Sequence, residues 1–273
     1  ICMPPLPVVL LYEKAPKKSE SDIFVTLGLL DNPDAQSQVP LEWNITSKHY
    51  IILGSAQCGK TNALQTLIRS LIENYSPDEV NIYIADFSSM ILRNFDGCKH
   101  IGGVVCASED DKIKSLFKLL MEEISRRKQM LAELGVSSYS AYKEAGQTDL
   151  PQIVFVIDNL TALRELYLQE DDLLLPILRD GIAVGISCII ANSQTSGIGY
   201  RYLNNIEGRM ALFCNESSEY GMMFEGCREK LSSIPGRALV QFNKQTYESQ
   251  VFLSFEGDKE FERVKAIKLF VDE

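Results

Sequence analysis

Short apolar runs recur along the chain at residues 49–53, 80–86, 102–106, 153–158, 187–192, 209–214, 238–242 and 250–253. Several are continuous rather than alternating, the form of strands buried on both faces. Helical periodicity fills the intervals. Residues 61–75 place Leu64, Leu67, Ile68, Leu71 and Ile72 on one face, and 108–134, the longest helical stretch, does the same with Ile113, Leu116, Phe117, Leu120, Ile124 and Leu131. Strand and helix in alternation predict an α/β fold, a mainly parallel sheet with helices on both faces. Ahead of it, Pro4, Pro5, Pro7 and Pro16 with a Lys/Ser/Glu-rich run predict an extended linker over residues 1–21, leaving 22–273 as one domain.

Composition narrows the class. The 273 residues are 45% hydrophobic, ample for a core, yet no stretch approaches the roughly 18 apolar residues of a membrane span. Residues 1–20 lack the pattern of a secretory signal. The first residue is Ile1, so a piece of a longer chain is expected. Seven cysteines, odd in number and without a C-x-x-C pair, read as reduced thiols, and two distant histidines, His49 and His100, argue against a His-rich metal site. A net charge of -10 opposes broad attraction to a phosphate backbone, and the basic residues of 112–118 and 126–128 are interleaved with acids, as on a solvated helix face.

Against that background one segment carries chemistry. Gly54-Ser55-Ala56-Gln57-Cys58-Gly59-Lys60-Thr61 matches the phosphate-binding pattern G-x-x-x-x-G-K-[ST], with the apolar Tyr50-Ile51-Ile52-Leu53 before it and an amphipathic helix after it. In that order, backbone N–H groups converge on a β-phosphate, Lys60 adds a point charge, Thr61 is placed to ligate Mg²⁺, and the helix N-terminus faces the anion. ATP and Mg²⁺ are the expected ligands. The bland reading is a glycine turn with Lys60 solvated.

A second element supports the first. Ile153-Val154-Phe155-Val156-Ile157 ends in Asp158, the form of a strand that delivers a carboxylate beside such a loop, to hold Mg²⁺ directly or through water. Alone, Asp158 would read as a cap or turn residue. Asn159 follows it, where hydrolysing proteins of this broad class usually carry a glutamate. An amide hydrogen-bonds water without accepting its proton, and general-base assistance is worth on the order of 10²–10⁴ in rate. Nucleotide binding should survive and hydrolysis should suffer, unless a carboxylate such as Glu165 or Asp86 compensates. Ser193-Gln194 follows the apolar run ending at Ala191, so a polar side chain should face the γ-phosphate there, with Gln194 as the candidate sensor, or the pair is plain loop. Arg209 and Arg237 are candidates for charge stabilisation across a subunit interface, or ordinary salt-bridge residues.

Six short segments in order resemble the FtsK/SpoIIIE family of hexameric motor ATPases: Val25-Thr26-Leu27-Gly28 with Asn32-Pro33, Ile84-Ala85-Asp86-Phe87, Glu123-Ile124-Ser125-Arg126-Arg127, Ala191-Asn192-Ser193-Gln194, Arg209-Met210-Ala211-Leu212 and Pro235-Gly236-Arg237-Ala238. The resemblance implies a RecA-like P-loop NTPase fold. Cys2-Met3-Pro4-Pro5-Leu6-Pro7 is similar to the proline-rich segment preceding ATPase modules of the type VII secretion motor, the EssC/EccC group, although Cys2 replaces its tryptophan. Ser88 and Thr195 likewise replace a family lysine and arginine. What this implies is a late, catalytically degraded module on the cytoplasmic side of a membrane-anchored chain. Its implied partners are neighbouring modules of the same chain, other subunits of a hexamer, and secreted helical-hairpin substrates of the WXG type. The alternative is an active DNA-translocating ATPase, which the acidic charge and Asn159 argue against.

Overall fold

The computed structural model describes residues 3–273, so Cys2 of the proline-rich segment lies outside the described residues. Ten strands form one sheet: β1 (Phe24–Asn32), β2 (Ser37–Asn44), β3 (Tyr50–Leu53), β4 (Val80–Asp86), β5 (Ile101–Cys106), β6 (Gln152–Asp158), β7 (Ile186–Asn192), β8 (Gly208–Leu212), β9 (Arg237–Phe242) and β10 (Gln245–Val251). Their order is β2-β1-β10-β9-β8-β3-β7-β6-β4-β5. From β8 to β5 every pairing is parallel, and from β8 to β2 every pairing is antiparallel. The helices are α1 (Lys60–Asn74), α2 (Asp110–Leu134), α3 (Tyr139–Glu144), α4 (Leu160–Tyr167), α5 (Leu174–Asp180), α6 (Tyr200–Leu203), α7 (Ser218–Met223) and α8 (Glu260–Asp272).

The mainly parallel sheet with helices on both faces is therefore as the sequence predicts, and the continuous apolar strands show why. Ile153, Phe155 and Ile157 of β6 pack into the core under α2, α4 and α5, whereas Val154 and Val156 pack into the opposite core with Leu64, Leu67, Ile68 and Leu71 of α1. Period-two side chains need apolar partners on both sides when both faces are covered.

The sequence reading misses β1 and β2 and starts β10 five residues late. Each miss has a local cause. Pro40 and the half-exposed positions of β2 break the apolar run, which is tolerated because β2 is the sheet's edge and an edge strand has no ladder bond to lose there. In β1 a bulge falls between Thr26 and Gly28, and a Cβ on Gly28 would lie 1.9 Å from the Gln250 carbonyl oxygen. Only glycine admits that approach of β10. The β9–β10 hairpin turns at Asn243 and Lys244, both with positive φ (51° and 66°), a two-residue turn without the usual glycine signal.

Residues 6–12 run as a strap along the sheet's antiparallel part. Leu6 is buried, the Leu10 carbonyl accepts from the Leu253 amide at 2.7 Å, and the Tyr12 ring meets Phe252 edge-on at 5.5 Å. Arg237 pins the strap, its guanidinium donating to the Leu6 and Pro7 carbonyls at 3.2 and 3.1 Å while also bonding Gln250 and Glu248. Arg209 is equally engaged, donating to the carbonyls of Ile206, Met223 and Leu203. Both arginines are thus internal ties, in keeping with the ordinary structural role offered for them beside that of a trans-acting charge.

His49, 1% exposed, accepts from the Cys188 amide at Nδ1 (2.8 Å), so Nε2 carries the proton donated to the Leu178 carbonyl (2.9 Å). Burial pulls its pKa down from 6.5 to about 4, against the Leu178 hydrogen bond. Its stabilising contribution is complete above the unfolded value and is lost as pH falls from there toward the folded one, about 2 kcal/mol by pH 5. Denaturant unfolding at pH 7 and pH 5 should show a smaller pH-dependent loss in His49→Gln than in the parent; parallel losses would contradict the assignment.

Candidate functional site

The parallel strands end together on one edge of the sheet, and the loops after β3, β4, β6 and β7 enclose a cleft of about 470 Å³ there. Its lining takes Ala56, Gln57, Gly59, Lys60 and Thr61 from the P-loop, Asp158 and Asn159 from the end of β6, Ser88 and Ser89 from that of β4, and Asn192 and Ser193 from that of β7.

The remaining P-loop residues hold the loop in place. The Gly54 amide donates to the Asn192 carbonyl (3.2 Å), the Ser55 amide to the Phe213 carbonyl (2.9 Å), and the Cys58 amide to the Ser55 carbonyl (3.3 Å). Gln57 has a φ of 61° and Gly59 one of 107°, the left-handed turns that fold the loop back onto α1. Gly59 caps α1 without a side chain, and a Cβ there would come within 3.2 Å of the Gly236 nitrogen. The first-turn N–H groups of α1 therefore have no side-chain cap. They suit an anion.

Lys60 Nζ donates to the Gly54 carbonyl (2.5 Å) and the Ser55 carbonyl (3.1 Å), and burial holds its pKa below the ordinary lysine value. Thr61 Oγ1 donates to Asp158 Oδ2 at 2.8 Å. Burial pushes the Asp158 carboxyl up to about 6, with the Asp86 carboxylate adding and the Thr61 hydroxyl and Lys60 ammonium opposing. A hydroxyl and a carboxylate oxygen in contact form the hard oxygen pair that Mg²⁺ takes, with phosphate oxygens and water completing the shell. Among the described residues no group of three or more His, Cys, Asp or Glu is placed to hold a metal. The site thus fits a nucleotide-borne cation rather than an all-protein cage.

Asn159 is occupied with structure. It sits at φ 74°, ψ 74° as the N-cap of α4, its Oδ1 accepts from the Ala162 amide (3.2 Å), and its Nδ2 donates to the Phe87 carbonyl (3.1 Å). Asp86 is fully buried and accepts from the Ser88 and Leu92 amides, while Glu165 is exposed outside the cleft. Gln194 is exposed and also outside the cleft lining; its Oε1 accepts from the Ser196 hydroxyl at 3.2 Å. Ser193, one residue earlier, lines the cleft. Asn192 stands behind it, its Oδ1 taking the Thr161 amide and hydroxyl and its Nδ2 donating to the Gln194 carbonyl.

Sequence reasoning missed Ser88, Ser89 and Asn192 as cleft residues and, of the pair Ser193-Gln194, favoured Gln194 where Ser193 lines the cleft. The available signal was positional: each is at or just beyond the carboxyl end of a parallel strand, where α/β sheets bind ligands.

Fold and cleft together define a RecA-like P-loop protein of the ATPase class. The model of the FtsK/SpoIIIE family matches residues 14–234, and the chain belongs to that family. It is 29% identical over 268 residues to the ESX secretion system protein EccC of Geobacillus thermodenitrificans, covering 97% of this chain and 18% of that protein. It is 26% identical over 276 residues to the type VII secretion system protein EssC of Staphylococcus aureus (strain MRSA252), covering 96% and 19%. The chain thus spans about a fifth of the length of these curated relatives. Among solved structures, ATPases 2 and 3 of Geobacillus thermodenitrificans EssC align with a TM-score of 0.90 and 27% identity over 99% of this chain and 51% of that one. Thermomonospora curvata EccC, ATPases 2 and 3 in complex with a signal sequence peptide, aligns with a TM-score of 0.83 and 22% identity, over 98% and 50%. The chain is therefore homologous to ATPase domains of type VII secretion motors.

Calorimetric titration with ATP and Mg²⁺ should give one site. Lys60→Ala should weaken it by about tenfold or more, the worth of a hydrogen bond to a charged group. Thr61→Ala and Asp158→Asn should each remove the magnesium dependence. Unaltered binding in all three variants would place the nucleotide elsewhere.

Proposed function

We propose that this chain is an ATP- and Mg²⁺-binding module of a type VII protein secretion motor, with little or no turnover of its own and a regulatory, substrate-recognising role. Asn159 carries the first half of that reading. It directly follows β6, where a water-activating glutamate is expected, and both ends of its amide are bound to protein. In the bound state the backbone N–H groups of α1's first turn and Lys60 would hold the phosphates, and Thr61 and Asp158 the cation, whose chemistry is to neutralise charge on the β- and γ-oxygens. Positioning and charge remain available. What is missing is a group to take the proton of an attacking water.

Membership of the family and similarity to EccC and EssC support placement of the chain on the cytoplasmic side of a membrane-anchored protein, beside other ATPase modules and within a hexamer. None of the helices described is long and apolar enough to cross a membrane. Substrate recognition draws support from the Thermomonospora relative, whose solved complex holds a signal sequence peptide. The occupant expected here is the helical tail of a secreted WXG-type hairpin protein. Net charge of -10 argues against the DNA-translocating alternative.

Phosphate release by the isolated domain should stay near background, and turnover of several per second would overturn the degraded reading. Asn159→Glu should not restore hydrolysis by itself, and it should lower stability by about 1 kcal/mol through the lost cap and the strained φ. Fluorescence anisotropy should detect a labelled tail peptide in a salt-tolerant manner and no labelled duplex at moderate salt. Duplex binding without peptide binding would transfer the preference to a DNA motor.

A further inference from the structure

A pair of side chains at the far end of α1, remote from the nucleotide cleft, has the arrangement of an activated thiol. Cys98 Sγ lies 3.4 Å from His100 Nδ1, and His100 Nε2 lies 2.5 Å from the Tyr75 carbonyl oxygen. A carbonyl only accepts, so Nε2 carries a proton and Nδ1 is left facing the thiol. Nucleophile, base and an orienting third group thus stand in line, the arrangement general to activated nucleophiles.

The backbone fixes both partners. The Cys98 amide donates to the Phe95 carbonyl, the Cys98 carbonyl accepts from the Ile101 amide, and the His100 carbonyl accepts from the Ile82 amide of β4. Tyr75 itself caps the C-terminus of α1, its amide bonding the Leu71 carbonyl. Cys98 is half-buried and reachable, whereas Cys106, Cys188 and Cys214 are buried. Neither Cys98 nor His100 hydrogen-bonds to a carboxylate among the described residues.

We propose that Cys98 is a modification site, a thiolate nucleophile activated by His100 that reacts with small electrophiles and in particular with hydroperoxides. Burial alone raises the Cys98 pKa, but the hydrogen bonds and charge of His100 outweigh it and bring the thiol below its ordinary value; the Cys98 hydrogen bond in turn raises that of His100. In Cys188 nothing opposes burial, and in Cys214 the Lys60 charge and the Tyr220 hydrogen bond do not outweigh it, so both thiols are driven up. With the proton on His100 Nδ1, the sulfur attacks the terminal oxygen of the hydroperoxide. The S–O bond forms as the O–O bond breaks, the departing alkoxide takes the imidazolium proton to leave as an alcohol, and sulfur is oxidised by two electrons to the sulfenic acid while the peroxide is reduced.

Timed alkylation with iodoacetamide at pH 7, read by peptide mass spectrometry, tests the pair in the unaltered chain. Cys98 should react about tenfold faster than Cys227, which is also partly exposed but has no histidine partner. In His100→Gln, with an unchanged melting temperature as the check on folding, that advantage should fall away. Limiting hydrogen peroxide followed by dimedone should tag Cys98 first. Reaction of Cys98 no faster than Cys227 in the unaltered protein would overturn the proposal even if the variant failed to fold, and so would an unchanged rate in a folded His100→Gln.

Discussion

The contact between the Thr61 hydroxyl and the Asp158 carboxylate, 2.8 Å, is the constraint on which the rest of the cleft depends. Asp158 is 1% exposed and ends a strand buried on both faces, so its carboxylate needs a partner wherever the chain places it. That partner comes from the first turn of α1, and the contact is possible only because β3 and β6 flank β7 in parallel register, Leu53 beside Asn192 and Asp158 beside Ala191. The same register sets the Asn192 carbonyl to receive the Gly54 amide and the Ala191 carbonyl to receive that of Asn159. Sheet order thus fixes where the loop starts, where the carboxylate ends and how far apart the two lie.

Chemistry that the cleft could have is limited by hydrogen bonds already made inside it. Asn159 spends its carbonyl on the α4 cap and its amide on Phe87, and Asp86 spends both oxygens on Ser88 and Leu92. Freeing either group would leave buried backbone donors or acceptors without partners, a cost of about 1–3 kcal/mol each. These side chains are therefore held in place rather than poised to accept a proton. Lys60 differs. It rests on two carbonyls of its own loop, contacts a phosphate could replace with stronger, charge-assisted ones.

How much of this was legible beforehand follows from the reach of each signal. The P-loop, Asp158 and the parallel strands are local patterns, a motif or an unbroken apolar run, and they read directly from sequence. The antiparallel extension did not. Its strands carry a proline, a bulge glycine and a turn built from Asn243 and Lys244, features whose meaning depends on which strand lies alongside. Site residues divide the same way. Lys60 and Thr61 are fixed by position in a motif, whereas the choice between Ser193 and Gln194 for the cleft turns on the path of the chain after β7, where the Asn192 side chain holds the Gln194 carbonyl. The arginines are the sharpest case: nothing in the residues around Arg237 announces that its partners are the carbonyls of Leu6 and Pro7.

That last pairing links two parts of the protein that sequence keeps far apart. The turn before Arg237 sits against the P-loop: Gly236 is the residue that a Cβ on Gly59 would strike, and its amide points to the Cys58 carbonyl at 3.5 Å. On its other side Gln250 donates to the carbonyls of Pro235 and Val8, joining that same turn to the strap. Strap, turn and phosphate loop are thus three layers in contact, held by neutral hydrogen bonds and by one guanidinium that is 8% exposed. Because that guanidinium has four partners and little water, displacing the strap would strand donors in the layer directly beneath the P-loop. The segment that leads into the domain is for this reason part of the floor on which the nucleotide site rests.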